Sequence, residues 1–364
     1  MAHIFYSLSG EGRGHAARAR TIIDDLKDRH SFTVFAPGDA YGMLDGLYNK
    51  HDVKLINIPG LNFYYNSKRK VDYGLTLVNA IKYFMDPAPI KKIIGLIEEE
   101  RPDLVITDFE PSLLRAAEKC GMPYISINHQ HFLSTYDLGQ LPLHLQHKAA
   151  IMSTAVNFMY SRQCKTVVSS FFFPGLKSRV RNVSQTGVLL NNRIINADTA
   201  DRGHVLVYLR RFLDRRLLEM ISSIGKKAIV YNNESDYKTK NVIFKKTCPD
   251  AFCEDLAGCS CLVTTAGNQL VGEALYLGKP VLVIPEPDNF EQQINAAFLN
   301  LSGGGISCEA DNIDSQFFKD FVSKLDSFVL NHPRDMLCGN QTISNIVEES
   351  IAVDPVSTKQ KAAS

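Results

Sequence analysis

The sequence carries no surplus of either charge. Across 364 residues, 40 lysines and arginines stand against 39 aspartates and glutamates, a formal net charge of +1. No global field therefore draws in a polyanion, and nucleic acid is not an expected partner. No apolar run approaches the length of a membrane span. The start, "MAHIFYSLSGEG", lacks a signal-peptide pattern, because a strand-like segment begins at Ile4 and Glu11 soon follows. Nor do the cysteines show a zinc-knuckle spacing: Cys248, Cys253, Cys259 and Cys261 cluster, but as small buried residues, and no metal is expected. Eight cysteines without a leader point to thiols in a reducing compartment, so the expected location is cytoplasmic. What remains is ordinary globular composition, in a chain too long for one core.

Short apolar runs alternate with helical patterns along that chain. The segments 4–8, 32–36, 53–58, 103–108, 124–128 and 166–172 read as buried strands. Apolar residues at helical spacing lie between them, such as Ala19, Ile22, Ile23 and Leu26. A polar stretch from 174 to 203 follows, and the interdomain linker is placed near 190–202. A second series then begins, with strands expected at 205–209, 227–232, 242–246, 261–266 and 280–285. Helices are expected near 213–223, 251–257, 269–277, 289–301 and 314–330. The fold class is α/β: two Rossmann-like, doubly wound parallel-sheet domains, 1–190 and 203–350, facing across a cleft, with a disordered tail over 351–364. Ligands of such sheets bind beyond the carboxyl ends of the strands.

Two glycine-rich turns point into that cleft. "SLSGEGRGHAARA" (7–19) is strand, turn and helix start, and Gly10, Gly12 and Gly14 allow close approach of a ligand. Their spacing lacks the third glycine of a dinucleotide fingerprint, and no Gly-Lys-Ser/Thr marks a phosphate loop. His15 stands where the turn becomes helix, and Asp108 ends another strand of the same sheet. Together they can form an oriented base for a hydroxyl. The plainer alternatives are an ordinary helix-start histidine and an aspartate that caps the helix beginning at Pro111. The second turn, "TTAGNQLVGEALYLGKP" (264–280), puts the N–H groups of Gly267, Asn268 and Gln269 toward the cleft, suited to a diphosphate. Glu273 follows within reach of a ribose, or is merely a helix residue favoured by the dipole. After the fifth strand, Glu291, Gln292 and Asn295 offer carboxylate and amide groups to a sugar, and a solvated helix start is the bland alternative.

These motifs resemble the inverting glycosyltransferases of the GT-B type. "TTAGNQLVGEALYLGKPVLVIPEPDNFEQQINAAFL" is similar to the nucleotide-sugar motif of the peptidoglycan N-acetylglucosaminyltransferases and of small-molecule glycosyltransferases. "GEGRGHAAR" with "PDLVITDFEPSLLRAAEKCGMPYISINHQH" resembles a largely uncharacterised subgroup of that superfamily. The resemblance implies a nucleotide-sugar donor, UDP-linked in the first instance, bound at the turn 266–269 (Ala266, Gly267, Asn268, Gln269) with Glu273 on the ribose. It implies Glu291 and Gln292 on the donor sugar, beside Asn295. His15 is then the base and Asp108 the carboxylate behind it, with Glu11 as a competing base in a turn that also holds Gly12 and Gly14. Plant relatives carry histidine at the position of Thr265 and tryptophan near Asn268, which this chain lacks, so the diphosphate contacts fall to the main chain or to Arg210 or Arg211. Phe252 is expected near the base. With Thr264 and Thr265 where retaining enzymes have a glutamate, inversion is expected.

The expected function is transfer of a hexosyl or N-acetylhexosaminyl group to an acceptor hydroxyl, without cofactor or metal. Two rivals are a UDP-sugar 2-epimerase of the same fold and a non-catalytic nucleotide-sugar-binding protein. His129 and His131 are candidates to line the acceptor site. The basic, aromatic segment 62–74 is read as a loop beside it, open to a small molecule, a glycan, a lipid-linked sugar at the inner face of a membrane, or solvent alone.

Overall fold

The computed structural model describes residues 1–10, 13–49, 51–61, 64, 73–160, 162–209, 213, 215–231, 240–246 and 248–352. Two parallel sheets organise them. The first holds β1 (His3–Leu8), β2 (Ser31–Ala36), β3 (Val53–Asn57), β4 (Leu104–Asp108), β5 (Tyr124–Asn128), β6 (Lys165–Ser169) and β7 (Val183–Thr186). The second holds β8 (His204–Tyr208), β9 (Lys227–Tyr231), β10 (Val242–Lys245), β11 (Cys259–Thr264), β12 (Val281–Val283) and β13 (Gly305–Ser307). Their strand orders are β3-β2-β1-β4-β5-β6-β7 and β10-β9-β8-β11-β12-β13. Strands β4, β5 and β11 are buried along their whole length, which is why they appear in sequence as unbroken apolar runs rather than alternating ones.

Each sheet reverses its winding once, between β1 and β4 in the first and between β8 and β11 in the second. At such a point the flanking loops diverge and leave a crevice past the carboxyl ends of the strands. The helix start that carries His15 and the residue Asp108 lie at the first reversal, and the turn 265–267 lies at the second.

The polar stretch 174–203 is more structured than its composition suggests. It contains β7 and the short helix Asn192–Ile195, capped by the Asn191 side chain, so the expected linker is itself partly helical. β13 is likewise hidden by its brevity and by glycine, with Gly303 and Gly304 in front of it and Gly305 as its first residue. The helix expected over 314–330 stops at Ser323, followed by a 3-10 turn at Leu325–Ser327.

The last helix, Asn340–Ala352, corrects the domain division. Its residues Ile343, Ile346 and Val347 pack in the core of the first lobe with Ile22, Leu26 and Ala40, not with the second sheet. Glu348 pairs with Arg29 and His30 of the first lobe. This helix also occupies 351–352, and the rest of the expected tail lies outside the described residues.

The lobes share one apolar cluster. Phe172 stacks on Phe298 at 4.0 Å between centroids, and Val188 packs with Val271 and Leu275. The returning chain crosses the first lobe through a parallel bridge between Val188 and Cys338. A Cβ on Gly187 would lie 2.2 Å from the Leu337 carbonyl carbon and 2.5 Å from the Met336 oxygen. Main-chain atoms cannot swing aside, so Gly187→Ala is expected to lower stability by about 1–3 kcal/mol, read by urea unfolding. An unchanged midpoint would mean the crossing is looser than this packing.

Candidate active site

Strands β1 and β4 lie side by side with Leu8 opposite Asp108, and the Ser9 N–H donates to the Asp108 carbonyl at 2.9 Å. The helix Arg13–Leu26 starts immediately after, and it places His15 and Arg18 three residues apart on one face. Both reach Asp108. His15 Nδ1 lies 2.9 Å from Asp108 Oδ1, while Arg18 donates through Nε to Oδ2 at 2.8 Å and through a terminal nitrogen to Oδ1 at 3.2 Å. Asp108 has no solvent exposure and Arg18 only 3%. Burial pushes the Asp108 carboxyl up, but Arg18 and His15 together overcome it and hold it below the ordinary carboxylate range. Nδ1 has two neighbours, the Asp108 carboxylate at 2.9 Å, which only accepts, and an Arg18 terminal nitrogen at 3.2 Å, which only donates; the nearer carboxylate assigns the proton to Nδ1 and makes Nε2 the basic nitrogen. Nε2 has no hydrogen-bond partner among the described residues.

The capping alternative for Asp108 goes to its neighbour. Glu110 accepts from the N–H groups of Ser112 and Leu113 at the head of the helix Pro111–Lys119. Between the two carboxylates, Phe109 takes a left-handed φ of 55°, a strained conformation for an aromatic residue, found here where the chain turns from strand to cap. Arg18 was not singled out from the sequence. The available signal was its place at i+3 from His15 on a helix whose apolar face is buried.

In the second lobe, β11 runs through the turn 265–267 into the helix Asn268–Tyr276. Gly267 caps it without a side-chain bond and gives its own N–H to the Thr265 carbonyl at 2.8 Å, so of the three N–H groups expected to face a diphosphate those of Asn268 and Gln269 remain at the helix end. The two helix starts meet: a Cβ on Gly14 would lie 3.7 Å from the Gln269 Cβ. Asn268 and Gln269 use their side chains to join the lobes. Asn268 accepts from the Phe171 N–H at 3.2 Å and donates to the Ser169 carbonyl at 3.0 Å, and Gln269 donates to the Leu189 carbonyl at 2.6 Å. Gln269 also donates to Glu273 at 2.8 Å. Burial raises the Glu273 carboxyl to about 7, against a small lowering by that bond. Phe252 meets Tyr208 and Tyr231 edge-on at 5.5 and 4.9 Å, beside the same crevice.

The helix Phe290–Ser302 brings the remaining candidates into the interlobe contact. Glu291 accepts from Gln130 of the first lobe at 3.1 Å. Gln292 accepts from the Glu286 N–H at 2.8 Å, so its amide oxygen holds the loop leading into its own helix. Asn295 is fully buried; it pairs with His129 Nε2 at 3.0 Å and donates to the Ala266 carbonyl at 2.9 Å, and thus locks the lobes together instead of presenting an open amide. His129 is therefore part of the lobe contact. His131 turns inward to Ser126 at 2.9 Å and against the Tyr160 ring, and burial drives its pKa down to about 4. Both histidines are only 2% exposed, so neither lines an open acceptor surface as drawn from the sequence. Glu11, Gly12, Arg210, Arg211 and most of 62–74 lie outside the described residues. Among the described residues, no three His, Cys, Asp or Glu side chains converge as metal ligands would, and no helix is long and apolar enough to cross a membrane.

Comparisons with known proteins agree with this architecture. Glycosyl transferase family 1 is matched over residues 2–326. An uncharacterized glycosyltransferase of Methanosarcina mazei is 22% identical over 330 residues, covering 83% of this chain and 85% of that one. The UDP-N-acetylglucosamine–N-acetylmuramyl-(pentapeptide) pyrophosphoryl-undecaprenol N-acetylglucosamine transferase of Prochlorococcus marinus is 26% identical over 121 residues, 33% of this chain and 32% of that one. Among solved structures, the glycotransferase of kitacinnamycin superposes with a TM-score of 0.68 at 16% identity, covering 96% of this chain and 99% of that one. MurG of Acinetobacter baumannii gives 0.61 at 13% identity, covering 96% and 100%. The superpositions carry the GT-B fold, and the family match spans both lobes with the crevice between them: this chain belongs to glycosyl transferase family 1 and is a glycosyltransferase.

Proposed function

We propose that the chain transfers a sugar from a nucleoside-diphosphate sugar, UDP-linked in the first instance, to an acceptor hydroxyl by single displacement with inversion. The observation that carries this reading is the His15–Asp108 bond of 2.9 Å beside the Gln269 end of the opposite helix. With Nδ1 tied to Asp108, His15 Nε2 takes the proton of the acceptor hydroxyl as its oxygen attacks the anomeric carbon. The carbon–oxygen bond to the diphosphate breaks on the opposite face, and the leaving diphosphate takes that electron pair. The N–H groups of Asn268 and Gln269 stabilise its growing charge at the helix end, the Gly267 N–H being given to the Thr265 carbonyl. Asp108 steadies the imidazolium, and Arg18 keeps Asp108 ionised although it is fully buried. Entry of the donor is expected to need movement of one lobe against the other, working against the Asn268, Gln269 and Asn295 bonds and the shared apolar cluster.

Glu273 supplies the pH dependence. Its carboxyl sits near 7 without ligand, and two ribose hydroxyls donating to it would favour the ionised form. Nucleotide affinity is therefore expected to rise from pH 6 to pH 8 and then level off, as the carboxyl no longer has to lose its proton on binding. Glu273→Gln is expected to flatten that rise, measured by calorimetric titration with UDP. A flat wild-type profile would remove Glu273 from the ribose site. Incubation with nucleotide sugar alone tests the reaction type: conversion of the sugar to an epimer without any acceptor would replace transfer by epimerisation.

A further inference from the structure

Four polar side chains, Gln130, Glu286, Glu291 and Gln292, gather around the first turn of the helix Phe290–Ser302, and two of them keep a buried oxygen without a partner among the described residues. Gln130 gives its amide N–H to Glu291 at 3.1 Å, yet its own Oε1 is closed off from solvent with no partner among the described residues. Glu286, 6% exposed, is in the same position: Asn289 reaches one carboxylate oxygen at 3.5 Å, and the other, Oε1, is buried and unpartnered. The main-chain N–H of Glu286 is bonded to Gln292 at 2.8 Å, which ties this residue to the same helix start. Gln130 directly follows His129, whose Nε2 lies 3.0 Å from Asn295 on the same helix, so the cluster sits in the contact between the lobes. Buried acceptors without donors are expensive to maintain, and a bound ligand that brings donors removes the deficit.

The chemistry of that ligand follows from the charges. Glu286 and Glu291 repel phosphate and carboxylate, so the diphosphate does not belong here. Neutral hydroxyls satisfy the two orphaned oxygens without adding a like charge. We infer that Gln130 and Glu286 complete the donor-sugar subsite, one from each lobe, and select a sugar by its free ring hydroxyls. This rests on the nucleotide-sugar reading above. Gln130 has a double part: its amide nitrogen aims Glu291, and its oxygen waits for a hydroxyl. Because Gln130 belongs to the first lobe and Glu286 to the second, a sugar bridging them draws the lobes together. A deoxy sugar leaves one acceptor unpaired and is disfavoured.

The test is calorimetric binding of UDP, dTDP and their hexose and deoxyhexose conjugates to wild type, Gln130→Ala, Glu286→Ala and Glu286→Gln, each checked by thermal melting. In wild type, at least one hexose conjugate is expected to bind more tightly than its parent nucleotide and than the deoxyhexose conjugates. Both alanine variants are expected to lose roughly tenfold of that surplus while binding the parent nucleotide as before. Glu286→Gln, which keeps an acceptor oxygen, retains most of it. The inference is overturned if no hexose conjugate exceeds its nucleotide, if deoxyhexoses bind better, or if the surplus survives both alanine changes. Parallel loss of nucleotide and conjugate also overturns it, by showing a structural role alone. Failure of wild type to bind any nucleotide sinks the nucleotide-sugar reading itself, and this inference with it.

Discussion

His15→Ala is expected to lower the rate of sugar transfer by roughly 10²–10⁴-fold, the range general-base catalysis contributes, while the affinity for nucleotide is unchanged. The separation follows from where the side chain stands. His15 Nδ1 is spent on Asp108 in the first lobe, whereas the expected diphosphate contacts are main-chain groups of the second. Removing the imidazole removes a proton acceptor and takes no contact from the nucleotide. The measurement is nucleotide release in the presence of an accepted hydroxyl compound, paired with calorimetric titration of UDP. A variant that turns over at the wild-type rate would eliminate His15 as the base and return attention to Glu11. Loss of UDP binding in the same variant would show a structural residue instead.

Arg18→Met should have the largest effect on stability. It keeps the length of the side chain but leaves Asp108 ionised, buried and bonded to His15 alone. Breaking one partner out of a fully buried ion pair costs about 3–5 kcal/mol. The sign of the pH dependence is a second check. With Arg18 present, the Asp108 carboxyl is held below its ordinary range, so its contribution is complete at neutral pH and is lost as pH falls through the folded-state value. Without Arg18, burial dominates and the carboxyl rises above its unfolded value, so the variant loses stability as pH rises. The gap between wild type and variant is therefore expected to widen from pH 4 to pH 8 in thermal or urea unfolding. A gap that stays constant, or narrows, would mean that Asp108 is neutral in the folded protein.

The parts of this fold that could be read in the sequence are those with strong periodic signals. β1, β2, β4, β5, β8, β9 and β11 are continuous apolar runs because both faces are covered, and the helices between them keep one apolar stripe. β7 escaped notice because its VSQT sequence is polar and only partly buried at the edge of the sheet. The return of the last helix to the first lobe could not be read at all. Its amphipathic pattern says that Ile343, Ile346 and Val347 need an apolar surface, and nothing in that pattern says whose.

The site divides in the same way. His15 and Asp108 were legible because Asp108 ends one parallel strand and His15 opens the helix after its neighbour, and strand ends in one sheet share an edge. Asn295 was legible as a polar helix residue but not as a buried lock, since its partners His129 and Ala266 come from two distant segments. Arg18 and Gln130 take their importance wholly from tertiary contacts, with Asp108 in one case and Glu291 in the other. A local motif records which backbone turns are available; which side chains those turns bring together is settled by how the lobes meet.

A crystal structure of the complex with UDP tests the shared crevice most directly. The expected density places the diphosphate on the main-chain N–H groups of Asn268 and Gln269, with its open end toward His15 Nε2 and the ribose on Glu273. Nucleotide bound elsewhere, or a diphosphate turned away from His15, would contradict the shared site.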